Sequence, residues 1–332
     1  MSSDNIDNAN VVVAADAAPA TAAAEAEREM PLLFLSHCAP ILLMDESNIF
    51  GRPNNCHFKS VVADWYRALP AQLDLVEGAR RPKAIVMLSA HWETSNKIRV
   101  TSQDRHKSLL YDYYGFPKFT YDVTYPAPGS TKLATRIVDL LNDAGVPAEH
   151  ELRRDLDHAA FIPLLLMYPE ADIPVLEISM LGSFDPAVHL RLGHALQALR
   201  REGVLLVGSG QASHGAFDNP PSVVPNTQKF VDALTAGLTA DPDADPAAAS
   251  TAEELLASKR GQTIVNWRKL PYAALAHPRP DHFMPIALPV GAARAGEKLT
   301  LVGDHWITGM HSLRTLAIGD VGASKKNKVI NA

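Results

Sequence analysis

Four histidines stand in apolar frames at widely separated points of the chain: His37 in LFLSHCAP, His91 in IVMLSAHW, His214 in LLVGSGQASHGAF and His282 in HPRPDHFMPI. Neutral imidazole is the commonest protein ligand for a divalent transition metal. Three of the four come directly after a strand-like apolar run, and in an α/β fold the carboxyl ends of such strands open into a shared crevice. The pattern predicts a mononuclear metal site at the mouth of a sheet.

Each motif alone also has a plainer explanation. His37 is equally satisfied by local backbone, and His91 by core packing, with Trp92 either walling a pocket or filling space. The stretch Gly208, Ser209, Gly210 reads as a loop flexible enough to let backbone approach a ligand. It lacks the spacing and the lysine of a phosphate-binding P-loop. His277 and His282 flank two prolines in a non-helical spacer, so only one of them is expected to face the site. His158, after Asp155 and Asp157, is a candidate acid or base, yet taken alone it reads as a helix-entry residue capped by Asp157.

The elements that would position these residues alternate between strand and helix. Leu32 to Ser36, Ala84 to Ser89, Pro174 to Ser179 and Val204 to Gly208 are short apolar runs bounded by turn residues, each expected to be a strand buried on both faces. Helical periodicity covers Phe58 to Leu69, Thr131 to Ala144, Pro186 to Arg200 and Thr227 to Leu238. Thr251 to Arg260 reads as one further helix opened by a threonine cap. LTLVG and SLRTLAI near the end predict an antiparallel hairpin at a sheet edge. The fold class is α/β, one domain with a central mixed, mostly parallel sheet flanked by helices and the metal site at the strand carboxyl ends. Residues 1–30 read as a disordered Ala-rich leader, 31–320 as the catalytic domain with an insertion or loop near 216–250, and 321–332 as a basic tail.

Composition narrows the partners. With 332 residues, 47% of them hydrophobic and 20% charged, the chain has the make-up of a globular protein with a sizeable core. A formal charge of -6 argues against nucleic acid or an anionic membrane, because phosphate binding relies on clustered Lys and Arg. Two cysteines, Cys38 and Cys56, are too few for a disulfide framework. No secretory or transit pattern and no run of ~18 apolar residues is present, so the expected location is the cytoplasm, as a monomer or homodimer.

SAHW (89–92), YDYYGFP (111–117), YPAPGS (125–130), LDHAAFIPLLLMYPEADIPV (156–175) and PRPDHFMPI (278–286), in that order, resemble the class III extradiol ring-cleavage dioxygenases of the LigB superfamily. Within it, the resemblance is to the group containing the plant and bacterial 4,5-DOPA dioxygenases, and it runs from about Pro31 to Ile318. It implies metal binding by His37, His91 and His282, with His214 a fourth ligand or the acid/base that takes a proton from the catechol and later returns it. His158 then lines the pocket and hydrogen-bonds the phenol, and His277 remains only a neighbour of the ligands. The implied cofactor is Fe(II), with Zn(II) an alternative in the isolated protein. The implied partners are a catechol, DOPA-like or otherwise, and O2, and the implied product is a muconic semialdehyde. All-histidine ligation leaves iron with more net positive charge than the common two-histidine, one-carboxylate set, which favours a catecholate dianion.

Two positions depart from the family pattern. Cys38 replaces a glycine beside His37, where a side chain is expected to narrow the pocket or expose an oxidisable thiol. Gly215 and Ala216 also differ, at a border where substrate preference is set. Competing readings of the same residues are a zinc hydrolase, a Cys38 nucleophile paired with His37, and an inert binder whose pocket Cys38 blocks.

Overall fold

The strands are β1 (Leu32–Ser36), β2 (Ala84–Thr94), β3 (Ile98–Thr101), β4 (Leu109–Leu110), β5 (Ala148–Glu151), β6 (Leu156–Asp157), β7 (Val175–Leu181), β8 (Val204–Gly210), β9 (Ser213–His214), β10 (Leu299–Gly303), β11 (Trp306–Ile307), β12 (His311–Ser312) and β13 (Thr315–Ile318). The helices are α1 (Cys56–Gln72), α2 (Thr131–Asp143), α3 (His158–Met167), α4 (Pro186–Ala195), α5 (Val224–Leu238), α6 (Ala252–Ala257), α7 (Lys259–Val265), α8 (Ala273–Ala276) and α9 (Ala287–Ala292). The computed structural model describes residues 29–43, 56–216, 221–239, 251–307 and 311–322.

Eight strands form the main sheet in the order β10-β13-β1-β8-β2-β7-β3-β5. The central quartet β1, β8, β2, β7 is parallel throughout, and these are the four strands predicted from apolar runs. β13 joins β1 antiparallel and β10 joins β13, so LTLVG and the end of SLRTLAI pair at the edge as expected. The other edge, β3 and β5, was not read from the sequence. IRVT and AEHE have no apolar run: Ile98, Val100 and Ala148 enter the core, while exposed Lys97 and Arg99 pair with half-buried Glu149 and Glu151.

The alternation along the quartet decides where the site lies. Even-numbered Leu32, Phe34, Val86, Leu88, Leu176, Ile178 and Leu206 enter one apolar cluster with Ile137, Leu190 and Phe230, which lie on α2, α4 and α5. Odd-numbered Leu33, Leu35, Ile85, Met87, Val175, Leu205 and Val207 enter a second cluster with residues of α1 and α3. On that second face the same parity turns polar toward the carboxyl ends: His37 follows Leu35, Ser89 follows Met87, Glu177 follows Val175, and Ser209 follows Val207. A period of two thus carries the core directly into the site.

The Gly208–Gly210 segment is strand, not loop, and its glycines serve a different contact from the one expected. A Cβ on Gly208 would overlap the Pro285 carbonyl oxygen, and one on Gly210 would overlap that of His282. These bare positions let the segment bearing His282 lie directly on the sheet, where Gln211 N donates to His282 O at 2.9 Å. Gly210→Ala is expected to destabilise the fold by ~1–3 kcal/mol through overpacking and to reduce metal retention. Urea unfolding with metal analysis checks this; unchanged stability and metal content would contradict it.

Thr251 to Arg260 is not one helix. Thr251 and Glu254 form a capping box on α6, but Ser258 takes an extended conformation and its side chain accepts from Gly261 N, opening α7. Glu29 and Met30, assigned to the leader, are part of the fold: Met30 is buried and Glu29 pairs with Arg201 and Arg294. The rest of the leader and nearly all of the basic tail lie outside the described residues. So do 217–220 and 240–250 of the 216–250 stretch, within which α5 buries Phe230, Val231 and Leu234. Among the described residues no helix is long and apolar enough to cross a membrane.

Three histidines of the core are held neutral. Burial pushes His277 down to about 3 and lowers His106 and His189 as well. Below an unfolded-state value near 6.5 the unfolded chain binds protons that these rings refuse, so stability falls as pH drops below about 6.5, by up to ~1.4 kcal/mol per pH unit for each ring still neutral, and for His277 the loss continues toward about 3. Metal-free protein is expected to lose stability steeply between pH 6.5 and 5. Chemical denaturation across that range reads it, and a flat profile would sink the assignment.

Candidate metal centre

β1 ends one residue before His37, whose N donates to Gly210 O on the neighbouring strand at 2.9 Å. His91 does not follow a strand. It lies within β2, in a stretch where pairing with β7 slips between Leu88 and Glu93. That bulge is pinned from both sides. Ser89 Oγ accepts from His91 N at 3.1 Å and donates to Asp157 Oδ2 at 2.7 Å, while Arg154 donates to His91 O at 3.3 Å. Asp157 also caps α3 by accepting from Ala159 N, which sets His158 at the helix start. The capping interpretation of Asp157 and a site position for His158 therefore hold together.

Five imidazoles converge. Ring centroids of His91 and His158 are 4.1 Å apart, those of His91 and His282 4.9 Å, and those of His37 and His282 5.3 Å. His214 stacks nearly parallel on His282 at 3.8 Å. Among the described residues, the group whose donor atoms all lie within 4.8 Å of one another is His37, His91 and His158. His282 stands beside this group by ring position, and His214 joins through its stack on His282.

The outer edges of four of the rings are held. Ser209 Oγ donates to Ala159 O at 2.6 Å and accepts from His37 Nδ1 at 3.1 Å. Asp112 reaches His91 Nδ1 at 3.2 Å and His158 Nδ1 at 2.7 Å, and Asp281 reaches His282 Nδ1 at 3.1 Å. With the proton on Nδ1, each Nε2 carries a lone pair, the state a metal ligand needs. His37 Nε2 and His91 Nε2 then face each other at 3.2 Å. Two lone pairs repel at that distance unless a cation lies between them, and two nitrogens each ~2.1 Å from one ion are about 3.0–3.4 Å apart at 90–110°. The donor set fits a divalent transition metal.

The electrostatics agree at His37, His282 and His214, and favour the protonated form at His91. Burial, reinforced by neighbouring histidines, holds His37 and His282 well below the ordinary histidine range, and burial lowers His214. His91 is raised: burial pulls it down, but Asp112, Asp157 and Asp281 outweigh that. Burial works against ionisation of Asp112, yet His158 and His91 hold it far below the carboxylate range.

Several expectations change at this point. The Cys38 side chain is buried in the apolar cluster that contains Leu35 and Tyr66, and burial raises its thiol to about 12. It neither presents a thiolate to His37 nor exposes a readily oxidised sulfur, so the nucleophile reading fails and nothing supports a blocked pocket. His277 packs among Phe230, Trp267 and Phe283, and touches the centre only through Ala212 O, at 3.2 Å. Trp92 is buried beneath the Arg154 guanidinium, 4.7 Å above its ring. Tyr113 lies against His158 at 5.7 Å and Phe116 against Tyr113, whereas Tyr114 is 87% exposed. Gly215 is buried, while 217–220 beyond it lie outside the described residues.

The sequence assigns no side-chain role to Asp112, Ser209 or Asp281. Asp281 adjoins His282, and Asp112 lies inside YDYYGFP, so a search for carboxylates within the motifs finds both. Ser209 becomes visible only from strand parity.

The family model described as the catalytic LigB subunit of aromatic ring-opening dioxygenase matches residues 31–310. The chain is 36% identical to a Beta vulgaris protein named 4,5-DOPA dioxygenase extradiol, over 84% of this chain and 92% of the relative. It is 33% identical to a Hapsidospora irregularis protein named dioxygenase tasH, over 83% and 82%. A crystal structure of an uncharacterized Escherichia coli K12 protein superposes with a TM-score of 0.60 at 28% identity, covering 87% of this chain and 100% of that one.

Proposed function

The chain belongs to the LigB family of aromatic ring-opening dioxygenases, within the 4,5-DOPA extradiol group, and from that premise we propose that it cleaves a DOPA-like catechol with iron(II) and O2 to a muconic semialdehyde. As an extradiol dioxygenase it replaces the zinc-hydrolase reading. The observation that carries the assignment of the centre is the facing pair of Nε2 atoms on His37 and His91.

In this reading His37, His91 and His282 hold the ion, and His158 and His214 act on the substrate. Bound there, iron(II) supplies the redox chemistry that lets O2 react with a catechol. Both oxygen atoms end in the product, so no external reductant is consumed. His158, its Nδ1 committed to Asp112, offers Nε2 as an acceptor for a catechol hydroxyl and thereby orients the ring. His214, which burial keeps neutral, takes a hydroxyl proton as the catechol binds and returns it as the ring opens. Tyr113 and Phe116 form the aromatic side of the space beside His158 and exclude water from it.

The test is anaerobic iron(II) loading followed by a panel of catechols, reading O2 uptake, product absorbance and product mass. The proposal expects one O2 consumed per ring opened and a product heavier than substrate by one O2. Zinc-loaded protein should stay silent. No turnover of any catechol by the iron-loaded enzyme would overturn it.

A further inference from the structure

One carboxylate holds two imidazoles that do different work. Asp112 Oδ2 lies 3.2 Å from Nδ1 of His91, and Oδ1 lies 2.7 Å from Nδ1 of His158. Oδ1 also accepts from the backbone N of His158 at 3.1 Å. The residue is fixed from outside as well: Asp112 N donates to Leu110 O, and Leu110 is paired with Asp157 where β4 meets β6. Its side chain is 19% exposed, so little water competes for its oxygens.

A carboxylate only accepts hydrogen bonds, so both rings must carry a proton on Nδ1, and each ring when neutral then has its lone pair on Nε2. The geometry points to Asp112 as a positioning residue that sets the tautomer of His91 and His158 together, so that the metal ligand and the substrate-side histidine are oriented by one group. This rests on the roles given to His91 and His158 in the proposed function. It goes beyond them in making the two rings interdependent.

Asp112→Asn discriminates because it keeps the shape while exchanging one acceptor for a donor. The amide oxygen stays toward His158, where a backbone N–H and the ring N–H both need it. The amide NH2 then faces His91, whose ring is driven to carry its proton on Nε2 and ceases to be a ligand. The experiment is ¹⁵N NMR of the imidazole nitrogens in metal-free protein, together with cobalt(II) titration followed by visible absorption.

Wild type is expected to show Nδ1–H on both His91 and His158. Asp112→Asn should show Nε2–H on His91 and a cobalt affinity lower by roughly 10–100-fold, as for other losses of a carboxylate behind a metal-bound histidine. Asp112→Ala, which inserts no donor, should weaken cobalt binding while leaving His91 in mixed tautomers. Nδ1–H on His91 in Asp112→Asn with unchanged cobalt affinity overturns the proposal. Should neither variant fold, Nε2–H on either ring of the wild type overturns it instead. Both readouts are taken without substrate, so a failure of catechol turnover and a failure of this inference are told apart.

Discussion

Replacing His37 with alanine is expected to abolish metal retention and to lower ring-opening activity on the order of 10³-fold or more. The ring is 1% exposed, its Nδ1 is tied to Ser209, and its Nε2 opposes that of His91. The Cys38 sulfur next to it belongs to the apolar layer and does not replace the lost nitrogen. Metal catalysis of this kind contributes several kcal/mol, and each 1.36 kcal/mol is a factor of ten in rate. The check is iron content after loading and dialysis, measured beside O2 uptake. Wild-type iron content in the variant would defeat the assignment. The same assay separates the two candidates for the third ligand: His282→Ala should lose the ion, and His158→Ala should keep it while raising KM.

Replacing His214 with alanine should have nearly as large an effect on turnover with a different signature. In the proposed function His37, His91 and His282 hold the ion and His214, stacked on His282, acts on the substrate, so iron should stay mostly bound. A positioned acid/base contributes ~10²–10⁴-fold, and kcat is expected to fall by about that factor. Iron content fixes the first half of the statement and single-turnover absorbance the second. Activity within tenfold of wild type would show that His214 is not the proton carrier.

Much of this centre is legible in the sequence because the four parallel strands are apolar runs and three of them, β1, β2 and β8, have histidines at or near their ends. What the sequence hides has identifiable physical causes. His91 looks like a residue after a strand because an apolar run stops at Leu88, yet β2 continues through a bulge that only its hydrogen-bond partners reveal. Gly208 and Gly210 look like a loop because glycine is read as freedom, whereas here it makes room for the Pro285 and His282 carbonyls. Of β3 and β5 only Ile98, Val100 and Ala148 enter the apolar core, among charged residues that pair across the edge, so these strands leave no apolar run to read. Asp112 is adjacent to neither ring in sequence, and its role depends on two folded segments meeting. Cys38, the departure beside the first ligand, changes little because its side chain belongs to the core.

The shared parity of core and centre has a consequence for how this molecule tolerates length change. His37 stands on the same face as Leu33 and Leu35 because each is two positions from the next. Deleting any one residue of Leu32–Ser36 turns either the imidazole or the leucines toward the wrong face. Insertions and deletions in the quartet are therefore punished twice, once as misplaced apolar surface and once as a lost ligand. Changes of chain length that preserve both belong in the connections between strands, where no such phase has to be kept.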